Sequence, residues 1–185
     1  AKPFGAHLFL STELSDCKLA LQSGVASARI IPSRTTQTRE NILKVAFDGD
    51  AVIFSEESQE IYDNLGLEAF EIIEKNLSKK SLPGGPFKPF LFELNRLQGK
   101  FPFNECPIRI ALVTARSAPT HERVILTLRK WNIRIDECLF LGGLEKVNFL
   151  KAYQADIFFD DQKENCDLAS EEVPTGHVVR LRHKL

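Results

Sequence analysis

At 185 residues, with 24 basic and 25 acidic side chains, the chain is sized for one domain with room for a small insertion. A formal net charge of -1 exerts no global pull on nucleic acid polymers or anionic membranes, so an anionic ligand must be held by local groups. A hydrophobic fraction of 43% is ordinary for a soluble globular protein, and no apolar run approaches the roughly 20 residues that cross a bilayer.

In chain order, "HLFLST" predicts a strand and "ELSDCKLALQSG" a helix closed by Gly24. "ASARII" predicts a second strand, ended by Pro32, and the polar "PSRTTQTREN" a loop or the start of a short helix. "ILKVAFD" is almost continuously apolar, as in a parallel strand buried on both faces. Helical spacing follows in "EESQEIYDNLGLEAFEIIEKNLSKK", with a break near Gly66, and "SLPGGPFKPF" punctuates its end. "FLFELNRLQGKF" predicts another helix, after which strands and helices alternate again. The strands are "IRIALVTA", "ECLFLGG", "ADIFFDD" and "GHVVRL". The helices are "PTHERVILTLRKWN", with Thr120 as a candidate N-cap, "LEKVNFLKAYQ" and the short "ENCDLASEE".

This order predicts an α/β fold, a Rossmann-like, mostly parallel sheet with helices on both faces. Residues 1–55 and 106–185 form the core, and 56–105 a small helical cap inserted after the strand that ends at Asp48. The four cysteines form no CxxC pair, which argues against a zinc knuckle and fits a reducing cytoplasm. The sequence contains no methionine, so its start reads as processed or as the boundary of a longer chain.

In such sheets the ligand crevice lies beyond the carboxyl ends of the strands. That rule gathers Asp48 and Asp50, Thr114 to Arg116, Gly142 and Gly143, and Asp160 and Asp161 at one rim. Four carboxylates there would repel one another unless a hard cation joins them, and oxygen-only donors suit Mg²⁺ better than zinc. Mg²⁺ shares its coordination with substrate phosphate, so the rim suits a phosphoryl group. Two aspartates one residue apart allow divided labour: one attacks phosphorus, the other protonates the leaving oxygen and later deprotonates water. Thr114, the backbone N–H groups after it and Lys146 supply donors for the phosphoryl oxygens. Taken singly, each of these residues has an ordinary role as cap, turn or solvated helix position; the signal is the ordered set.

That set resembles the haloacid dehalogenase-like (HAD) phosphohydrolases. Their first motif, DxDx[TV], reads Asp48-Gly49-Asp50-Ala51-Val52; Thr114 matches the second motif, Lys146 the third and Asp160-Asp161 the fourth. The blocks "VAFDGDAVIFSEESQEI", "NRLQGKF", "ECPIRIALVTARSAP", "LRKWNI", "DECLFLGG" and "IFFDDQ" are similar to the cytosolic 5'-nucleotidase type I family, whose members carry more sequence ahead of this point.

The resemblance implies Mg²⁺-dependent hydrolysis of nucleoside 5'-monophosphates in the cytoplasm, with AMP the first substrate to test. Asp48 becomes the nucleophile and Asp50 the acid/base, its carbonyl also facing the metal. Thr114, Ala115 and Lys146 hold the phosphoryl oxygens, and Asp161 ligates the metal with Asp160 as ligand or support. Arg116 has two readings, a phosphate or ribose contact and a partner for a nearby carboxylate. Base recognition falls to the cap and the loop after the first strand. Phe54, Tyr62, Phe87 and Phe90 are read either as purine platforms or as core, Trp131 as structural, and His121 as a phosphate neighbour or a helix-surface residue. A homo-oligomer is allowed. The alternatives are another HAD phosphatase or phosphotransferase, and a nucleotide-binding module without turnover.

Overall fold

The computed structural model describes residues 2–32, 41–77 and 79–180, with side chains at 2, 58–63, 67 and 71 excepted. The polar segment after Pro32 and the side chain of Tyr62 lie outside the described residues.

Seven strands form one sheet: β1 (Leu8–Ser11), β2 (Ala26–Ile31), β3 (Leu43–Phe47), β4 (Ile108–Thr114), β5 (Glu137–Phe140), β6 (Ile157–Asp160) and β7 (Thr175–Val178). Their spatial order is β1-β2-β7-β6-β3-β4-β5. Every pairing is parallel except β2 with β7. The fold class is therefore the α/β arrangement that the alternating pattern predicts. The one antiparallel pairing has a consequence: β1 and β2 run against the other strands. The loop after β1, expected to help read a base, leaves its strand heading away from the rim that carries Asp48.

The helices are α1 (Leu14–Gln22), α2 (Glu57–Asn76), α3 (Lys88–Gln98), α4 (His121–Lys130), α5 (Val147–Tyr153) and α6 (Lys163–Ser170). Strand alternation sorts side chains to the two faces. Val45, Phe47, Ile110, Leu112 and Phe159 share one buried cluster with Leu91 and Leu94 of α3 and Val124 and Leu128 of α4. Ala46, Ala111, Val113 and Phe158 face a second, with Leu150 and Tyr153 of α5 and Ala169 of α6. Thus α3, although within the 56–105 segment expected as a cap, lies in the same core as the central strands. Helix α2 bends at Gly66, whose φ of +79° suits a residue without a Cβ.

Among the described aromatic candidates for purine stacking, Phe54 and Phe87 are interior and Phe90 is partly buried against the core. Phe54 and Phe87 are fully buried, and Phe87 lies 4.8 Å from the Phe159 ring, which also stacks on Phe47 at 5.4 Å. Phe90 packs edge-on against Phe47 and Phe87. Each such pair adds about 0.5–1.5 kcal/mol beyond its burial. Trp131 is structural, tilted against Phe54 and covered by the Lys88 ammonium at 4.2 Å. The His121 ring rests against Phe140.

Candidate active site

The rim is built from strand ends. Asp48 follows β3 directly, and its N–H donates to Phe159 O at 2.8 Å, which extends the pairing with β6 by one residue. The chain then makes a wide turn over Gly49–Ile53, closed by the Phe54 N–H on Gly49 O at 2.9 Å. Inside it Ala51 sits at φ 62°, in the left-handed region that a Cβ disfavours. The turn is held from outside: Gly85 N–H donates to Ile53 O, Phe87 N–H to Val52 O and Ser55 N–H to Pro83 O. The Pro/Gly stretch is therefore a strut for the loop that carries both aspartates, not only the end of a helix.

Three carboxylates converge. Asp48, Asp160 and Asp161, all buried, each offer an oxygen, and these atoms lie within 4.8 Å of one another. Lys146, at the N-cap of α5, donates to Asp48 Oδ1 at 2.7 Å and to Asp160 Oδ2 at 2.6 Å. Asp160 is fully buried and further engaged, by the Gln162 N–H at 2.7 Å and the Asn165 amide at 3.1 Å. Asp161 pairs with Arg180.

The electrostatics follow from burial. Loss of water pushes the Asp48 carboxyl well above the usual carboxylate range; Lys146 opposes this, and Asp160 and Asp161 add to it. Burial also raises Asp161, to about 6, against the pull of Arg180 and with the repulsion of Asp160. Burial works against the Lys146 charge, but Asp48 and Asp160 outweigh it and hold the ammonium more firmly protonated than usual. A cluster of oxygen donors whose negative charge is incompletely compensated fits a hard divalent cation.

Thr114 closes β4 beside this cluster, and its Oγ1 accepts the Arg116 N–H at 3.3 Å. Ala115 is exposed on the rim just beyond it. Thr120 occupies the N-cap position of α4, but its hydroxyl donates to Ser117 O instead of capping a helix N–H.

The Asp50 carboxylate and Arg116 form a group of their own. The Asp50 carboxylate is not among the three that converge. Arg116 holds it bidentately, Nε to Oδ2 at 2.7 Å and Nη2 to Oδ1 at 2.8 Å. The remaining arm of Arg116, Nη1, donates to Glu74 Oε2 at 2.6 Å. Of its two sequence readings, the carboxylate partnership describes Arg116. Its guanidinium is directed at Asp50 and Glu74.

A family model described as 5'-nucleotidase matches residues 1–184. The chain belongs to the 5'-nucleotidase family. Human (Homo sapiens) cytosolic 5'-nucleotidase 1B is 42% identical over 166 residues, which are 86% of this chain and 27% of the human protein. The chain thus spans little more than a quarter of the length of that curated relative. Among solved structures, the HAD domain of the effector protein Lem4 from Legionella pneumophila matches at a TM-score of 0.45 and 12% identity, covering 78% of this chain and 91% of that one.

In this 5'-nucleotidase family chain, four residues around the rim escape a motif reading: Glu74, Arg123, Asn165 and Arg180. Asn165 lies in the first turn of α6, where the five-residue step from Asp160 was its only signal. Arg180 follows β7, and nothing in "VVRL" ties it to Asp161. No helix among the described residues is long and apolar enough to cross a membrane.

Proposed function

We propose that this chain hydrolyses nucleoside 5'-monophosphates to nucleoside and phosphate in a cytoplasmic setting, with AMP the first substrate to test. The observation that carries this reading is Asp48 and Lys146 in direct contact inside a buried carboxylate cluster, in a chain of the 5'-nucleotidase family. The name of the human relative supports the choice of compartment and substrate class.

Asp48 is the nucleophile: its carboxylate forms the bond to phosphorus as the bond to the 5'-oxygen breaks, giving an aspartyl-phosphate. Asp50 protonates the departing oxygen, then takes a proton from the water that hydrolyses the acyl phosphate. Lys146, the Thr114 hydroxyl and the backbone N–H at Ala115 stabilise the phosphoryl oxygens. Asp48, Asp160 and Asp161 would hold Mg²⁺, which when bound neutralises the cluster and the charge of the phosphoryl group. Asp160 also fixes Lys146, because its Oδ2 accepts from the ammonium.

The test is phosphate release from a panel of nucleoside monophosphates and sugar phosphates with Mg²⁺, for the wild type and Asp48→Asn. Release from AMP that is lost in Asp48→Asn is the expected result. Activity that survives the substitution would overturn the covalent mechanism, and turnover of sugar phosphates alone would overturn the substrate class.

A further inference from the structure

Beyond the carboxylate cluster lies a second buried charge network that the motifs do not contain. Glu74, on α2, is fully buried, and its two oxygens are divided between Arg116 Nη1 at 2.6 Å and Arg123 Nη1 at 2.7 Å. Arg123 is anchored in turn by its Nε on Lys80 O at 2.9 Å. Phe70, one helical turn before Glu74, lies with its ring 5.3 Å from the Arg116 guanidinium carbon. One face of α2 therefore grips Arg116 twice, by charge and by ring. The same guanidinium uses its other edge to hold both oxygens of Asp50.

We infer that Glu74 is a positioning residue for the acid/base carboxylate Asp50, acting through Arg116, so that the placement of α2 sets the orientation of Asp50. The inference rests on the role proposed for Asp50 above. An arginine fork fixes a carboxylate only if its own plane is fixed. The Arg116 side chain is 3% exposed, and each of its donor nitrogens meets a carboxylate oxygen. Removing the Glu74 charge releases one edge of that fork. It also leaves Arg123 without this carboxylate, so the Asp50 carboxylate loses its single orientation. Neither Glu74 nor Arg116 need touch the substrate for this to matter.

The step that depends on Asp50 as an acid is expulsion of the leaving oxygen, and demand for that proton falls as the leaving group improves. The experiment compares a nucleoside 5'-monophosphate with p-nitrophenyl phosphate in the wild type, Glu74→Gln and Glu74→Asp, with thermal melts to confirm folding. Glu74→Gln is expected to lower kcat on the nucleotide about 10–100-fold, less than the roughly 10²–10⁴-fold of a whole acid contribution because Asp50 itself is kept, with KM little changed. The pre-steady-state burst of p-nitrophenolate should stay within about twofold of wild type, since that leaving group needs no proton. Glu74→Asp, which keeps the charge and shortens the reach, should show the same selectivity to a smaller degree. An equal fall on both substrates, or a raised KM with unchanged kcat, would overturn the inference. A wild type inert toward every phosphate monoester would instead overturn the functional reading.

Discussion

Lys146 reaches from the start of α5 to donate to Asp48 at 2.7 Å, with the Asp160 carboxylate on its other side at 2.6 Å. One ammonium thus bridges two buried carboxylates before any substrate arrives, and its single charge offsets only part of theirs. Breaking a buried pair on one side costs about 3–5 kcal/mol, because the charge left behind cannot regain its water. Lys146→Met is therefore expected to destabilise the fold by that order in urea unfolding, beside its loss of turnover. Adding Asp160→Asn to it should recover part of the loss, since one of the stranded charges is removed. A double variant no more stable than Lys146→Met would show that Lys146 does not compensate Asp160.

The pH dependence of stability has a definite sign at this cluster. Asp48 and Asp161 are both raised above the ordinary carboxylate value, Asp161 to about 6. Below about pH 4 each is protonated in both folded and unfolded states and costs nothing. As pH rises above about 4 the unfolded chain ionises freely while the folded one must ionise against burial, so stability is lost, up to about pH 6 for Asp161 and beyond it for Asp48. A divalent cation on these oxygens reverses that loss. The thermal shift on adding Mg²⁺ should therefore be larger at pH 8 than at pH 5, and smaller in Asp161→Asn. A Mg²⁺ shift independent of pH would contradict the assignment.

Gly85 and Gly84 are neighbours with opposite tolerances. A Cβ on Gly85 would fall 2.2 Å from Phe54 O and 2.5 Å from Val52 O, backbone atoms of the loop behind Asp50. At Gly84 the clash is with Lys88 Cδ at 2.3 Å, part of a side chain that can swing aside. Gly85→Ala should cost at least the 1–3 kcal/mol typical of overpacking, and it should lower activity as the strut shifts. Gly84→Ala should stay within about 0.5 kcal/mol. Equal melting temperatures for the two variants would remove the strut from the account.

How legible these features were depends on what kind of order carries them. The α/β alternation, the strand ends and the cluster of Asp48, Asp160, Asp161 and Lys146 follow from periodicity and from short motifs fixed to strand termini. The reversed direction of β1 and β2 does not, because strand direction is set by which edge the β1-α1-β2 unit docks on, and both orientations share one apolar pattern. Phe54, Phe87 and Phe90 could be read as platforms or as core, since an aromatic residue looks alike in either role until its neighbours are known. Arg116 turns on a partner 42 residues away, Glu74 in α2. A buried acid in an amphipathic helix looks like any solvated one. Both could be resolved only by packing.

Asp136 ties the far rim of the sheet. Its side chain is 5% exposed and accepts from the Ile110 N–H at 2.9 Å, the Gln98 amide at 2.8 Å, Arg134 Nε at 2.9 Å and Arg109 Nη1 at 3.1 Å. Burial alone would raise its pKa, but the Ile110 N–H and the two arginines outweigh it and hold the carboxyl below its ordinary value. The sign is therefore the reverse of that at Asp161: the stabilisation is present above about pH 4 and is lost as pH falls through the lowered folded value. Asp136→Asn keeps the shape but replaces an acceptor oxygen with a donor facing other donors. It should cost about 2–4 kcal/mol at pH 7, where buried hydrogen bonds to a charged group are broken. At about pH 3 the difference from wild type should shrink. Because Asp136 stands at the β5 entrance, away from Asp48, kcat and KM of the folded variant should match wild type. A stability difference that stays constant down to pH 3 would show that charge is not what Asp136 contributes.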